Sequence, residues 1–262
     1  MPFPNVRLAN RPLHFIYLCD CSGSMAAMGK MQSLNQAIRQ SLPGMKKVAL
    51  DNPEARILVR AVSFADRANW HIAEPTPIEH LEWVDLRAGG ITAMGEALEL
   101  VAGQLSTPPM EDRALPPVLV LISDGQPTDD FDQGLQQLME QPWAKKAVRL
   151  AIALGHDSDL EILQKFIGPE PVDNLPSGEV PGASGQFPRQ SQGYRKSARR
   201  PLRSNNATSL AQYIQWASTA VVGAASMPVS RSDNSAIDGN IPLPDLPPTL
   251  IDPVSDEGPV VW

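Results

Sequence analysis

The chain has 262 residues and a mass of 28.4 kDa, and its 42% hydrophobic and 19% charged content is that of an ordinary globular protein with room for a full core. A net charge of -7 argues against a surface built as a whole to bind nucleic acid, although a local patch can differ in sign. The two cysteines, Cys19 and Cys21, stand two apart and cannot staple distant segments, and His14, His71, His80 and His156 are scattered, so neither a disulfide framework nor a zinc cluster is expected.

Residues 1–10 read as an N-terminal arm without the long apolar run of a secretory leader, which sets the expectation of a cytoplasmic protein. "LHFIYLC" (13–19) follows as a buried strand, then a helix through "MQSLNQAIRQSLPGMKKVAL" that Pro43 and Gly44 should interrupt, then the strand "RILVRAVSF" (56–64). "ANWHIAE" (68–74) comes after a short turn and suits an antiparallel edge strand; "TAMGEALELVAGQL" (92–105) has helical spacing. Next are "PVLVLIS" (117–123), a helix near "FDQGLQQLME", the strand "AVRLAIAL" (147–154) and a helix near "DLEILQKFI". Strands that are nearly continuous in Val, Ile and Leu are covered on both faces. The fold class is therefore α/β: a doubly wound, Rossmann-like, mostly parallel sheet with one antiparallel edge strand and helices on both faces.

From Gly168 the composition turns to Pro, Gly, Ser and Arg, with room for a short strand at "PVDNL", and residues of about 176–205 are expected to form a flexible basic excursion. "TSLAQYIQWAST" (208–219) recovers helical spacing and should dock back on the sheet. The principal domain is thus placed at 11–220. Residues 221–262 form an extended, proline-rich, acidic tail. "ASTAVVGAASMPV" (217–229) is too short to span a bilayer, so no membrane partner is expected.

Three oxygen-rich loops fall where such a sheet gathers functional side chains, at the carboxyl ends of its strands. The first carries Asp20, Ser22 and Ser24; the second, "GGITAMGEAL", carries Thr92; the third, "LISDGQPTD", carries Asp124. Alone, Thr92 is a helix cap and "DG" a turn. Together, three hydroxyls and two carboxylates suit a hard divalent cation such as Mg²⁺, with Mn²⁺ or Ca²⁺ as substitutes. The carboxylates balance its charge, and the neutral hydroxyls leave a coordination position open to an outside oxygen.

This constellation resembles the von Willebrand factor A family, whose metal-ion-dependent adhesion site uses Asp-x-Ser-x-Ser, a distant Thr and a distant Asp-Gly. The counterparts are Asp20, Ser22, Ser24, Thr92 and Asp124 with Gly125. The resemblance implies that the serines and threonine ligate directly, that an aspartate can act through water, and that a protein partner presents an Asp or Glu carboxylate to the ion. Within the family, "LCDCSGSM", "VSF", "GGITAMGEAL", "LISDGQPTD" and "YIQWAST" resemble TerY-type bacterial proteins named for tellurium resistance. That likeness implies a stress-response or phospho-signalling setting with a protein kinase and a metal-dependent protein phosphatase as partners. Met25 and Gly90 beside the site, and Arg195, Arg199 and Arg200 in the excursion, are the candidate partner contacts.

Rival readings are weaker. A phosphate loop needs G-x-x-x-x-G-K-[ST], but Gly23 to Gly29 encloses five residues and Met31 follows Lys30. An Asp-based phosphohydrolase would use Asp20 as nucleophile with a second carboxylate two residues on, where Ser22 stands, so no enzyme is expected. The arginines around Tyr194 could grip phosphoprotein or acidic surfaces, with nucleic acid ranked behind them for want of a recognisable module.

Overall fold

The computed structural model describes residues 11–155, 158–168 and 200–226, together with Pro244, Leu246 and Pro247. Its central strand is β1, Arg11–Asp20, buried continuously from Leu13 onward. β2 (Ala55–Phe64) and β4 (Val118–Ser123) flank it, both parallel to it. β3 (Ala68–Pro77) closes one edge antiparallel to β2, as the sequence predicts. On the other side β5 (Val148–Leu154) and β6 (Leu202–Ser204) continue in parallel, giving the order β3-β2-β1-β4-β5-β6 among the described residues.

β1 sends alternate residues into two cores. Leu13, Phe15, Tyr17 and Cys19 face one layer, with α1 (Lys30–Asp51), α6 (Ala207–Trp216) and α7 (Val222–Ser226). Ile16 and Leu18 face the other, with α2 (Met94–Ala102), α3 (Phe131–Glu140), α4 (Pro142–Lys146) and α5 (Leu160–Ile167). Both layers are apolar, so the sheet reads as the continuous Val/Ile/Leu runs that sequence alone displays.

Three expectations are corrected. The extended tail expected from residue 221 does not begin there: Val221 closes a helical turn and Val222–Ser226 form α7, with Val222 and Ala225 buried against the core. α1 is not interrupted: it runs from Lys30 to Asp51 with Pro43 inside. A proline there costs about 3 kcal/mol, and the burial of Leu34, Ile38, Leu42 and Met45 on the sheet offsets it. Gly44 serves the same packing, because a Cβ there would lie 2.3 Å from Gln215 Nε2 of α6 and 2.9 Å from Thr219 Cγ2 just past the end of that helix. The excursion is also shorter than about 176–205 at its far end. Leu202 and Ser204 are buried and pair with Ile152 and Leu154 in β6, a strand too short to carry a periodic signal. Residues 176–199, the "PVDNL" segment, residues 1–10 and all but three residues of the proline-rich tail beyond Ser226 lie outside the described residues.

Past Trp216 the helix widens into a π turn over Ala217–Val221 before α7 resumes it. Ser218 Oγ lies 2.6 Å from the Ile214 carbonyl, to which it donates, and 3.0 Å from Tyr17 Oη, so this turn is pinned to the middle of β1. β1 has β2 on one side and β4 on the other, and the strand order reverses between them. The carboxyl ends of β1 and β4 therefore open a crevice.

Candidate metal centre at the carboxyl ends of β1 and β4

Asp20 ends β1 and is fully buried. Its Oδ1 accepts the Ser22 amide at 2.8 Å and its Oδ2 accepts the Ser123 hydroxyl at 2.5 Å. Ser22 leads into a short 3-10 turn, Gly23–Gly29, in which Ser24 is exposed. The Ser22 and Ser24 hydroxyl oxygens are 2.9 Å apart, and Ser24 donates to Asp124 Oδ1 at 2.7 Å. Asp124 follows β4 directly and is itself buried.

Thr92 comes from the loop before α2 and is 6% exposed. Thr128 clamps its backbone, accepting the Thr92 amide on Oγ1 at 3.1 Å and donating its own amide to the Thr92 carbonyl at 2.9 Å. Thr92 does not cap α2. The residue at the cap is Ala93, and Asp129 serves the helix start instead, accepting the amides of Gly95 and Glu96 at 2.9 and 2.8 Å. This leaves the Thr92 hydroxyl directed at the third loop. A Cβ on Gly125 would stand 3.7 Å from Thr92 Oγ1 and 4.0 Å from Asp20 Oδ2, so glycine keeps the space between them open.

The second loop is bolted to the first through backbone. The Gly23 amide donates to the Gly90 carbonyl at 2.9 Å, and the Gly89 amide to the Cys21 carbonyl at 2.8 Å. α2 and α3 cross so closely that a Cβ on Gly134 would lie 2.3 Å from the Gly95 carbonyl oxygen, which fixes Thr92 relative to the loop after β4. All five expected residues thus meet in one crevice. The sequence reading missed their supports: Ser123, Thr128, Asp129 and Lys30, whose Nζ is 2.6 Å from Asp124 Oδ2. Only Ser123 carried a visible signal, as a polar residue closing an apolar strand.

The donor set fits a hard dication. Among the described residues no group of three or more His, Cys, Asp or Glu side chains gathers anywhere, so a soft or carboxylate-rich cage is not what this crevice offers. It offers three hydroxyls and two carboxylates. Burial pushes the Asp20 carboxyl above its ordinary range, hydrogen bonds from Ser123 and Ser22 pull the other way, and the charge of Asp124 adds to the rise. Two carboxylates set in one dry crevice favour a cation between them.

The expected partner contacts fare unevenly. Met25 is fully buried in the layer with α1, so it cannot face a partner; among the described residues the exposed methionine is Met28, at 68%. Gly90 is exposed beside Thr92, as is Ile91 at 54%. Arg200 is exposed, and Arg195 and Arg199 lie outside the described residues.

Residues 16–175 match the sequence model of the von Willebrand factor type A domain. A comparison with curated proteins returns no match. Among solved structures, the pilus adhesin SpaC from Lactobacillus rhamnosus GG aligns with a TM-score of 0.54 at 9% identity, over 79% of this chain and 30% of that one. Proximal thread matrix protein 1 from the mussel byssus aligns with a TM-score of 0.52 at 13% identity, over 80% and 48%. A von Willebrand factor type A protein from Catenulispora acidiphila gives 0.49 at 17%, over 80% and 42%. At such identities the likeness is one of fold, and the alignments span less than half of each of these structures.

Proposed function

The chain belongs to the von Willebrand factor type A domain family, and from that premise we propose that it is a divalent-metal-dependent protein interaction module. The observation that carries the reading is the meeting of Asp20, Ser22, Ser24, Thr92 and Asp124 around Gly125. Ser22, Ser24 and Thr92 would offer neutral oxygens to the ion; Asp20 and Asp124 would balance its charge. Mg²⁺ suits this set, with Mn²⁺ or Ca²⁺ as substitutes. A bound ion would supply electrostatic attraction for one incoming carboxylate oxygen, an Asp or Glu of the partner. Because Ser24 lies exposed while Asp20 is fully buried, the open side of the site faces solvent.

The reading is non-enzymatic. Asp20 would be the nucleophile of an Asp-based phosphohydrolase, yet it is fully buried, and two residues on, where that chemistry places a second carboxylate to handle protons, Ser22 stands. Apolar Met28 and Ile91 border the site, so the partner surface carries apolar groups around its carboxylate.

The finer setting rests on the TerY-like segments quoted above. On that resemblance the module works in a bacterial stress-response or phospho-signalling system of the tellurium-resistance type, with a protein kinase and a metal-dependent phosphatase as partners, in the cytoplasm. No helix among the described residues is long and apolar enough to cross a membrane. Two experiments test the proposal. Mg²⁺ titrated calorimetrically into chelator-treated protein should bind the wild type and fail with Asp124→Ala, and partner capture should be lost with chelator. Capture that survives chelation but is lost on deleting residues 176–199 would transfer the binding role to the basic excursion.

A further inference from the structure

Lys30 is the first residue of α1, and its side chain runs into the crevice to meet Asp124 Oδ2 at 2.6 Å. The pair is nearly dry: the Asp124 side chain is fully buried and that of Lys30 is 14% exposed. The other oxygen of Asp124 is held by Ser24 at 2.7 Å. The ammonium is therefore seated on the same carboxylate that a divalent ion would use.

Helix electrostatics do not favour this placement. The N-terminus of a helix carries partial positive charge, which opposes a lysine in the first position unless an anion answers it. No acidic residue stands in the first turn of α1. The anion is Asp124, 94 residues away in sequence. The chain also turns through two successive left-handed residues to begin the helix here, Met28 at φ 48° and Gly29 at φ 75°, and the first is a side chain that rarely adopts such a backbone. Ordering a long lysine side chain adds an entropic cost. What offsets these costs is the charge balance: Asp20 and Asp124 bring two negative charges into one crevice, and Lys30 returns one.

We infer that Lys30 is a tethered counter-ion, seated on Asp124 when no divalent ion is bound, and that the incoming ion must displace its ammonium. A dication neutralises both carboxylates by itself, and a second cation held against the same carboxylate repels it at short range. Lys30 thus lowers the affinity of the site for the ion and stabilises the metal-free domain. The inference rests on the metal-site reading above.

The test uses the full chain as wild type, Lys30→Met and Lys30→Arg, freed of metal by chelator and titrated calorimetrically with Mg²⁺ and with Mn²⁺. Each is also melted with and without ion. Lys30→Met should bind Mg²⁺ at least about tenfold more tightly than the wild type, the expected sign when a competing charge is removed. It should melt lower than the wild type without ion and recover with it. Lys30→Arg keeps the charge and should stay near the wild type in both measurements. If Lys30→Met does not fold without ion, Lys30→Gln, which keeps a polar chain without the charge, should show the same gain. Ion binding by the wild type with equal or weaker binding by the neutral variants overturns the role of Lys30 and leaves the metal site standing. Absence of ion uptake by every variant overturns both.

Discussion

The Gly23 amide donates to the Gly90 carbonyl at 2.9 Å, and this bond joins the loop carrying Ser22 and Ser24 to the loop carrying Thr92. Gly90 can accept it because its φ is 87°, a left-handed conformation open to glycine. A Cβ there would also press within 2.6 Å of Asp66 Oδ1, the oxygen that accepts the Ile91 amide at 3.1 Å. Gly90→Ala should therefore destabilise the fold by about 1–3 kcal/mol and weaken ion binding with it. Gly89→Ala is the control, since a Cβ at Gly89 meets nothing within 4 Å. Denaturant unfolding of the two variants checks this; equal losses would mean that the loop tolerates the strain.

Ser123 sits one residue before Asp124, yet its hydroxyl serves Asp20, lying 2.5 Å from Oδ2. Removing it leaves a buried carboxylate oxygen without that partner, at a cost of about 1–3 kcal/mol. Ser123→Ala should lower stability by that order and loosen the site, whereas Ser123→Thr keeps the hydroxyl and should retain Mg²⁺ binding. Calorimetric titration of both variants separates the lost hydrogen bond from a general packing defect.

The strands β1, β2, β4 and β5 were legible because each is a long apolar run, and the three site loops because each closes such a run with oxygen-bearing residues. Other features were hidden for physical reasons. β6 is three residues long, and its exposed Arg203 between buried Leu202 and Ser204 gives too little alternation to read. The Lys30 to Asp124 pair joins residues 94 apart, which no spacing reveals. Met25 and Met28 look equivalent in the sequence, but the left-handed backbone at Met28 throws its side chain outward while Met25 stays in the core. Pro43 reads as a helix breaker in isolation, and tertiary packing against the sheet and α6 overrides it.

Tyr17, on β1 upstream of Asp20, supplies a pH dependence that does not involve a ligand oxygen. Burial pushes its phenol up to about 12 from an ordinary 10.0, with hydrogen bonds to Ser218 and Ser41 opposing the rise. A value raised in the folded state means that the stabilisation is complete below about pH 10 and is lost as pH climbs toward about 12. Two units correspond to about 2.7 kcal/mol. Burial likewise pushes the Cys21 thiol up to about 12, so the wild type loses stability in alkali from more than one group. Tyr17→Phe should remove part of that loss: it is weaker than the wild type near neutrality, by about 1 kcal/mol for the Ser218 hydrogen bond, and the gap narrows with rising pH. Denaturant midpoints followed across the alkaline range check this, and a constant gap would count against it.

Thr92 is the residue at which metal and partner binding can be separated from folding. Its backbone is clamped by Thr128 and its hydroxyl faces the space beside Gly125, so Thr92→Ala removes one oxygen from the crevice without touching either apolar core. Melting without ion should shift little, because the lost atom supports no helix cap. Stabilisation by Mg²⁺ should shrink: at ion concentrations about ten times the dissociation constant the wild type gains about 1.4 kcal/mol, and an affinity loss of tenfold in the variant cuts that to about 0.4 kcal/mol. Partner capture should fall in parallel, since the ion that attracts the carboxylate is held less often. Met28→Ser tests the apolar border separately: it should weaken capture while leaving Mg²⁺ stabilisation at the wild-type level, because Met28 is exposed and contributes no ligand oxygen. Loss of Mg²⁺ stabilisation in Met28→Ser would show that the turn before α1 shapes the ion site itself, and unchanged capture in Thr92→Ala would mean that the partner binds elsewhere on the domain.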